Sequence, residues 1–273
     1  MAFSPSEIAQ ELSILSSHGA VIVGGQAVNI WCEIYGDALA SPWSENRPFT
    51  SRDADGFAAT EKHMLDAARA LEKAGYEVEV FLPEGTAERR INMGALRVTK
   101  GKHTLEINIR REIKAVPARE IDSTAVSVPV AAYAVRVLHP LFCLESKAAC
   151  LLDLPQEDRT DKKHLVLSIA NVRAMLSSLA KRGEPAALQI ADQLIRDAHT
   201  DLAVDLFRRH GIRLLEAVPW ERLADSPLPA LAQFAARRVD ALGKFDSYLQ
   251  AAEELSAMRK SIRGAGEPPP EKA

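Results

Sequence analysis

A short apolar run that ends in a glycine pair, followed at a set distance by two alternating acids, constrains this chain more than any other feature. Ala20-Val21-Ile22-Val23 leads directly into Gly24-Gly25, and 28 residues after Gly25 the segment Thr50-Ser51-Arg52 leads into Asp53-Ala54-Asp55. The first segment predicts a buried strand, a tight turn free of side chains, and then a helix from Gln26 to Tyr35. In the second, an extended backbone sends both aspartates to the same side. Backbone N–H groups at the start of a helix favour anions, and paired carboxylates hold divalent cations. Together the two segments outline a pocket for a phosphate and a metal, as nucleotidyl transfer needs.

The rest of the chain sets bounds on that pocket. With 273 residues there is room for one large domain or two smaller ones, and 47% hydrophobic with 26% charged residues is a globular balance. No apolar run approaches the roughly 20 residues that span a bilayer. The start, Met1-Ala2-Phe3-Ser4-Pro5, lacks a basic segment and an apolar core, so the expected location is cytoplasmic, with no membrane partner. A net charge of −3 argues against wrapping a long nucleic acid, though not against a local basic groove. Cys32, Cys143 and Cys150 have no zinc-ligand spacing and read as small buried hydrophobes. The histidines form no H-x-x-x-H pair, which removes the zinc-hydrolase class.

Periodicity fills in the elements. Ser6 to Ser17 and Glu61 to Lys73 read as amphipathic helices, the second closed by Gly75. Asp37 to Thr50 is rich in Ser, Pro and Asn and reads as a loop. Tyr76 to Phe81, Ile91 to Thr99 and His103 to Arg110 alternate as strands, the last two joined by a turn at Lys100-Gly101-Lys102. In the third of these, Leu105, Ile107 and Ile109 face one way, and Thr104, Glu106, Asn108 and Arg110 the other. Val126 to Val130 and Val135 to Leu138 are shorter strands. From Pro140 the pattern is helical: Pro140 to Leu152, Thr160 to Ala180, Pro185 to Arg209 and Ala230 to Ile262. The expected class is α+β, with a mixed-sheet core over 1–139, a helical domain over 140–262 and a disordered tail over 263–273.

Two octahedral Mg²⁺ ions need several oxygen ligands and a shared bridging carboxylate, so a third acid would strengthen the site. Glu106 is the candidate, a lone acid between Leu105 and Ile107 on a strand. With it, the strand before Gly24-Gly25-x-Ala27 and the motif Ser51-x-Asp53-x-Asp55 resemble the nucleotidyltransferase superfamily with a DNA polymerase β-like palm. Within that superfamily the chain is most similar to the AbiEii-type group, which includes toxins of toxin–antitoxin and phage-abortive systems. That group also has a helical lysine and a basic–acidic segment. Here these are Lys147, in His139 to Lys147, and Asp158-Arg159-Thr160-Asp161-Lys162-Lys163-His164. The similarity covers about residues 18 to 170.

The resemblance implies transfer of a nucleoside monophosphate from a nucleoside triphosphate to an acceptor hydroxyl on an RNA end, a protein side chain or a small molecule. It implies that Asp53, Asp55 and Glu106 hold two Mg²⁺ ions, or Mn²⁺ in their place. Gly24, Gly25 and Ser51 would contact the triphosphate. Lys147 would neutralise phosphate charge, and Asp161 would hold neighbouring basic groups or a metal-bound water. A cognate antitoxin would be a partner. Three departures stand out: Gly25 replaces a frequent serine, the interval to Asp53 is long, and the third acid is Glu rather than Asp. They leave open a non-catalytic nucleotide-binding protein on the same fold. A third reading is a HEPN-type ribonuclease, from the Arg159-x4-His164 spacing.

Overall fold

Seven strands form one mixed sheet in the order β3-β4-β5-β2-β1-β7-β6. They are β1 (Val21–Val23), β2 (Asp53–Phe57), β3 (Glu77–Phe81), β4 (Asn92–Lys100), β5 (His103–Arg110), β6 (Val126–Val130) and β7 (Tyr133–Val137). The computed structural model describes residues 2–36, 49–157 and 159–238, together with 240, 242–247, 249–251 and 254. The expected loop therefore falls largely, and the expected tail wholly, outside the described residues. The class is α+β, with a helical C-terminal region, as expected. No helix among the described residues is long and apolar enough to cross a membrane.

The chain divides into two compact units, Met1–Met175 and Leu176–Ala273. The expected boundary at residue 139 lies inside the first unit, which also takes in α6 (Pro140–Asp153) and most of α7 (Asp161–Arg182).

In the first unit, alternation on β5 decides which sheet face is core. Leu105, Ile107 and Ile109 are buried, on the side covered by α1 (Ala9–Ser17) and α3 (Glu61–Lys73), whose Leu12, Leu15, Met64 and Leu71 are buried with them. Ser4 and Glu7 form a capping box on the 3-10 turn that precedes α1. On the opposite face, α2 (Gly24–Ile34) lies over β1 and β2, so Val21, Ile22 and Val23 are buried on both sides. Farther out, that same face carries exposed Glu79, Arg97 and Glu106.

Strand pairing sets the register of the site. β1 runs antiparallel to β2, with Val23 opposite Asp55. β2 runs parallel to β5, with Asp53 opposite Glu106 and Asp55 opposite Asn108. Two short helices were not expected: α4 (Thr86–Ile91) and α5 (Ala118–Thr124).

In the second unit, α8 (Ala186–Ala198) and α9 (Asp201–His210) replace the single helix expected over 185–209. Thr200 breaks it, because its hydroxyl accepts from the Ala203 N–H as the N-cap of α9. α10 (Trp220–Ala224) and α11 (Pro229–Ala235) follow, joined by a Trp220–Phe234 ring stack at 6.0 Å.

Candidate active site

Gly24 shapes the site by what its missing side chain admits. It is the first residue of α2 rather than part of a separate turn, and its φ of +64° is a left-handed value that glycine adopts freely. A Cβ there would lie 2.3 Å from Asp55 Oδ2, so only glycine lets the helix start sit directly on the carboxylate. Gly25 does the same for other partners: a Cβ would lie 2.7 Å from His164 Cε1 and 3.0 Å from Ser51 Oγ. The glycine pair thus packs three site residues together.

The aspartates share one face of β2, as alternation requires, and both line a cavity of about 460 Å³. Asp53 accepts from the Ser51 hydroxyl at 3.3 Å and the Asn108 amide at 3.4 Å. Asp55 accepts from Arg110 Nε and Nη2, both at 3.2 Å on Oδ1. Burial pushes the Asp55 carboxyl above its ordinary pKa against the opposing pull of Arg110, and the Asp53 charge adds to the rise. Ser51 is fixed in turn by backbone pairing with Phe3, at 2.8 and 3.0 Å.

Two helices wall the other side. Lys147, on α6, is buried and donates to Asp161 Oδ1 at 2.9 Å. Arg159 donates to Oδ2 of the same carboxylate at 2.5 Å. Burial alone would raise the Asp161 pKa, but Lys147 and Arg159 outweigh it and hold the group below its usual value. His164, one turn along α7, is 4% exposed, and its pKa falls to about 3, chiefly by burial and then by the Lys147 charge. It is therefore a neutral imidazole at physiological pH. The middle of α7 is held to α2 by Asn171, whose amide donates to the Val28 carbonyl at 3.1 Å.

The cavity brings together Gly25, Ser51, Asp53, Asp55, Lys147 and Asp161, with Gly24 against Asp55 behind its wall. Glu106 is on the correct face and in register with Asp53, but it does not line the cavity. Its carboxylate lies 3.5 Å from Arg97, with the side chain 63% exposed, because the open sheet there offers Arg97 as a nearer charge. Among the described residues no group of three or more His, Cys, Asp and Glu side chains is placed to hold a metal ion. The pair Asp53 and Asp55 fits one Mg²⁺ completed by water and phosphate oxygens. It does not make the three-carboxylate set for two ions.

The sequence reading gave Arg52 no site role, and Arg110 and Lys163 none beyond a local basic groove. Arg110 had a signal, since it alternates with Glu106 and Asn108 on the open face of β5. The lining counts five basic side chains, Arg52, Arg110, Lys147, Arg159 and Lys163, against three carboxylates. That surplus suits a polyphosphate.

No protein-family model matches the sequence, and no curated protein matches it significantly. Similar solved structures include the Megavirus polyadenylate synthase, 11% identical with a TM-score of 0.38, over 64% of this chain and 36% of that one. Another is an antigenic nucleotidyltransferase-like protein from Paracoccidioides brasiliensis, 15% identical with a TM-score of 0.40, over 80% of this chain and 96% of that one. This chain thus spans little more than a third of the viral protein's length. Similarity at this level says nothing of what the chain does, and the chemistry stands on its own residues.

Proposed function

We propose that this chain is a nucleotidyltransferase that moves a nucleoside monophosphate from a nucleoside triphosphate to an acceptor hydroxyl. One observation carries the reading: an alternating aspartate pair, backed by the glycine start of a helix, opens into a cavity with surplus positive charge. The sequence motifs around Gly24, Asp53 and Lys147 point the same way.

The triphosphate lies along Gly25, Lys147, Arg159 and Lys163, whose positive charge and N–H groups offset the phosphates. The acceptor oxygen forms a bond to the α-phosphorus, the bond to the bridging oxygen of the β-phosphate breaks, and pyrophosphate leaves with that electron pair. The hydroxyl proton passes to solvent. Ser51 and Asn108 fix Asp53, and Arg110 fixes Asp55, so the carboxylates need no rearrangement during the reaction. A Mg²⁺ ion bound to Asp53 and Asp55 would neutralise phosphate charge and align the reacting oxygens. His164 takes no part as a base.

The experiment is a pair of thermal shifts. A nucleoside triphosphate with Mg²⁺ raises Tm by mass action, and Asp53→Asn with Asp55→Asn removes most of the rise without unfolding the protein. An unchanged shift in the double variant would place the nucleotide elsewhere. Mass spectrometry of RNA, protein and small molecules after incubation with labelled triphosphate then identifies the acceptor by its added monophosphate.

A second reading has its own observation. Arg110 on Asp55, and Glu106 turned to Arg97, suit a protein that binds a nucleotide without transferring it. A full thermal shift with no transferred label would favour it. The ribonuclease reading gains nothing from a neutral His164 and an Arg159 bound to Asp161. A toxin–antitoxin role rests on the sequence resemblance alone; growth arrest on expression, relieved by Asp53→Asn and by a neighbouring antitoxin gene, would support it.

A further inference from the structure

Arg110 is held more firmly than a surface arginine that happens to meet an acid. Its Nε and Nη2 both reach Asp55 Oδ1, and its Nη1 donates to Asn92 Oδ1 at 2.7 Å. Asn92 is its register partner across β4 and β5, at the point where the ladder shifts around Met93. Both N–H groups come from one side of Oδ1, so the guanidinium occupies one of that oxygen's two lone-pair directions. The other oxygen, Oδ2, lies against Gly24.

The neighbouring strand supplies no competing acid. Asn108, the register partner of Asp55, is a carboxamide that donates to Asp53, and Glu106 is engaged by Arg97. Two divalent ions side by side require a carboxylate that bridges them and lone pairs free on both oxygens. Among the described residues no third carboxylate joins Asp53 and Asp55 to complete such a set, and Arg110 already places a fixed positive charge on one oxygen of Asp55.

We propose that Arg110 is a built-in replacement for the second metal ion, so that the chain takes a single divalent ion per bound triphosphate. The inference rests on the nucleotide site proposed above. Arg110 acts here as a positioning residue, through Asp55.

The test is Mn²⁺ stoichiometry, read by electron paramagnetic resonance with an α,β-methylene triphosphate that cannot be cleaved. Wild type is expected to bind one Mn²⁺ per chain, and Arg110→Lys likewise. Arg110→Ala combined with Asn108→Asp should bind two, the second at least about tenfold more tightly than in wild type, because a repelling charge is gone and a ligand is added. Circular dichroism checks the fold of each variant. Two ions on the wild type would overturn the inference by itself, whatever the variants do, and leave the nucleotide site standing. One ion on the folded double variant would overturn it as well. A wild type that binds no Mn²⁺ and no triphosphate would overturn both it and the function it rests on.

Discussion

Lys147 and Arg159 divide one buried carboxylate between them, and that arrangement sets what each substitution does. Asp161 is 3% exposed and accepts from both. Losing one partner leaves it paired with the other, so Lys147→Ala is expected to fold. The lost positive charge falls on the phosphates instead: we expect kcat/KM to drop by the equivalent of roughly 2–4 kcal/mol, with Lys147→Arg retaining part of it. Steady-state kinetics against triphosphate concentration measures both. Gly24 gives a different kind of residue-scale outcome. An alanine at φ +64° costs about 1–2 kcal/mol from the backbone alone, before the overlap with Asp55 is relieved. Urea unfolding of Gly24→Ala should show that loss, together with a weakened triphosphate shift.

Elements end where side chains compete for the backbone. Apolar periodicity continues from α8 into α9, which is why one helix was expected across both. Thr200 stops it by donating to the Asp197 carbonyl at 2.7 Å and accepting from Ala203 N–H at 3.4 Å. Thr200→Ala should cost about 1 kcal/mol, the usual worth of an N-cap. A lower Tm with unchanged triphosphate binding is the expected result, because Thr200 is not among the residues that line the cavity. The short helices α4 and α5 were missed for a related reason: six or seven residues make fewer than two turns, too few for a period to register.

For the whole molecule, His164 ties acid stability to the site. Its folded pKa, about 3, lies below the value near 6.5 of an unfolded histidine, so below that pH the unfolded chain binds the extra proton. Stability is then present above about pH 6.5 and falls as the pH drops toward 3, by up to about 1.4 kcal/mol per unit. Asp161, whose pKa is lowered, adds a second loss in the same direction once the pH passes below the ordinary carboxylate range. Denaturant midpoints from pH 8 to pH 4 should trace this slope, and His164→Gln should flatten its upper part. An imidazole NMR signal that titrates near pH 6.5 in the folded protein would contradict the neutral state.

Sequence alone determined the strands that carry the site, because alternation on a two-faced sheet depends only on neighbours along the chain. Thus Asp53 and Asp55 share one face of β2, and Glu106, Asn108 and Arg110 share one face of β5, each set readable from its own strand. The glycine pair and the helix after it were legible for the same local reason. What Asp55 meets was not. Pairing β2 parallel to β5 brings Arg110 onto it, and a helix start that tolerates no side chain brings Gly24 against it. The exit of Glu106 from the site was equally hidden, since it depends on Arg97 across an antiparallel ladder. Periodicity fixes the direction in which a side chain leaves the backbone; which charge it finds there depends on partners distant in sequence, and only the tertiary structure brings those together.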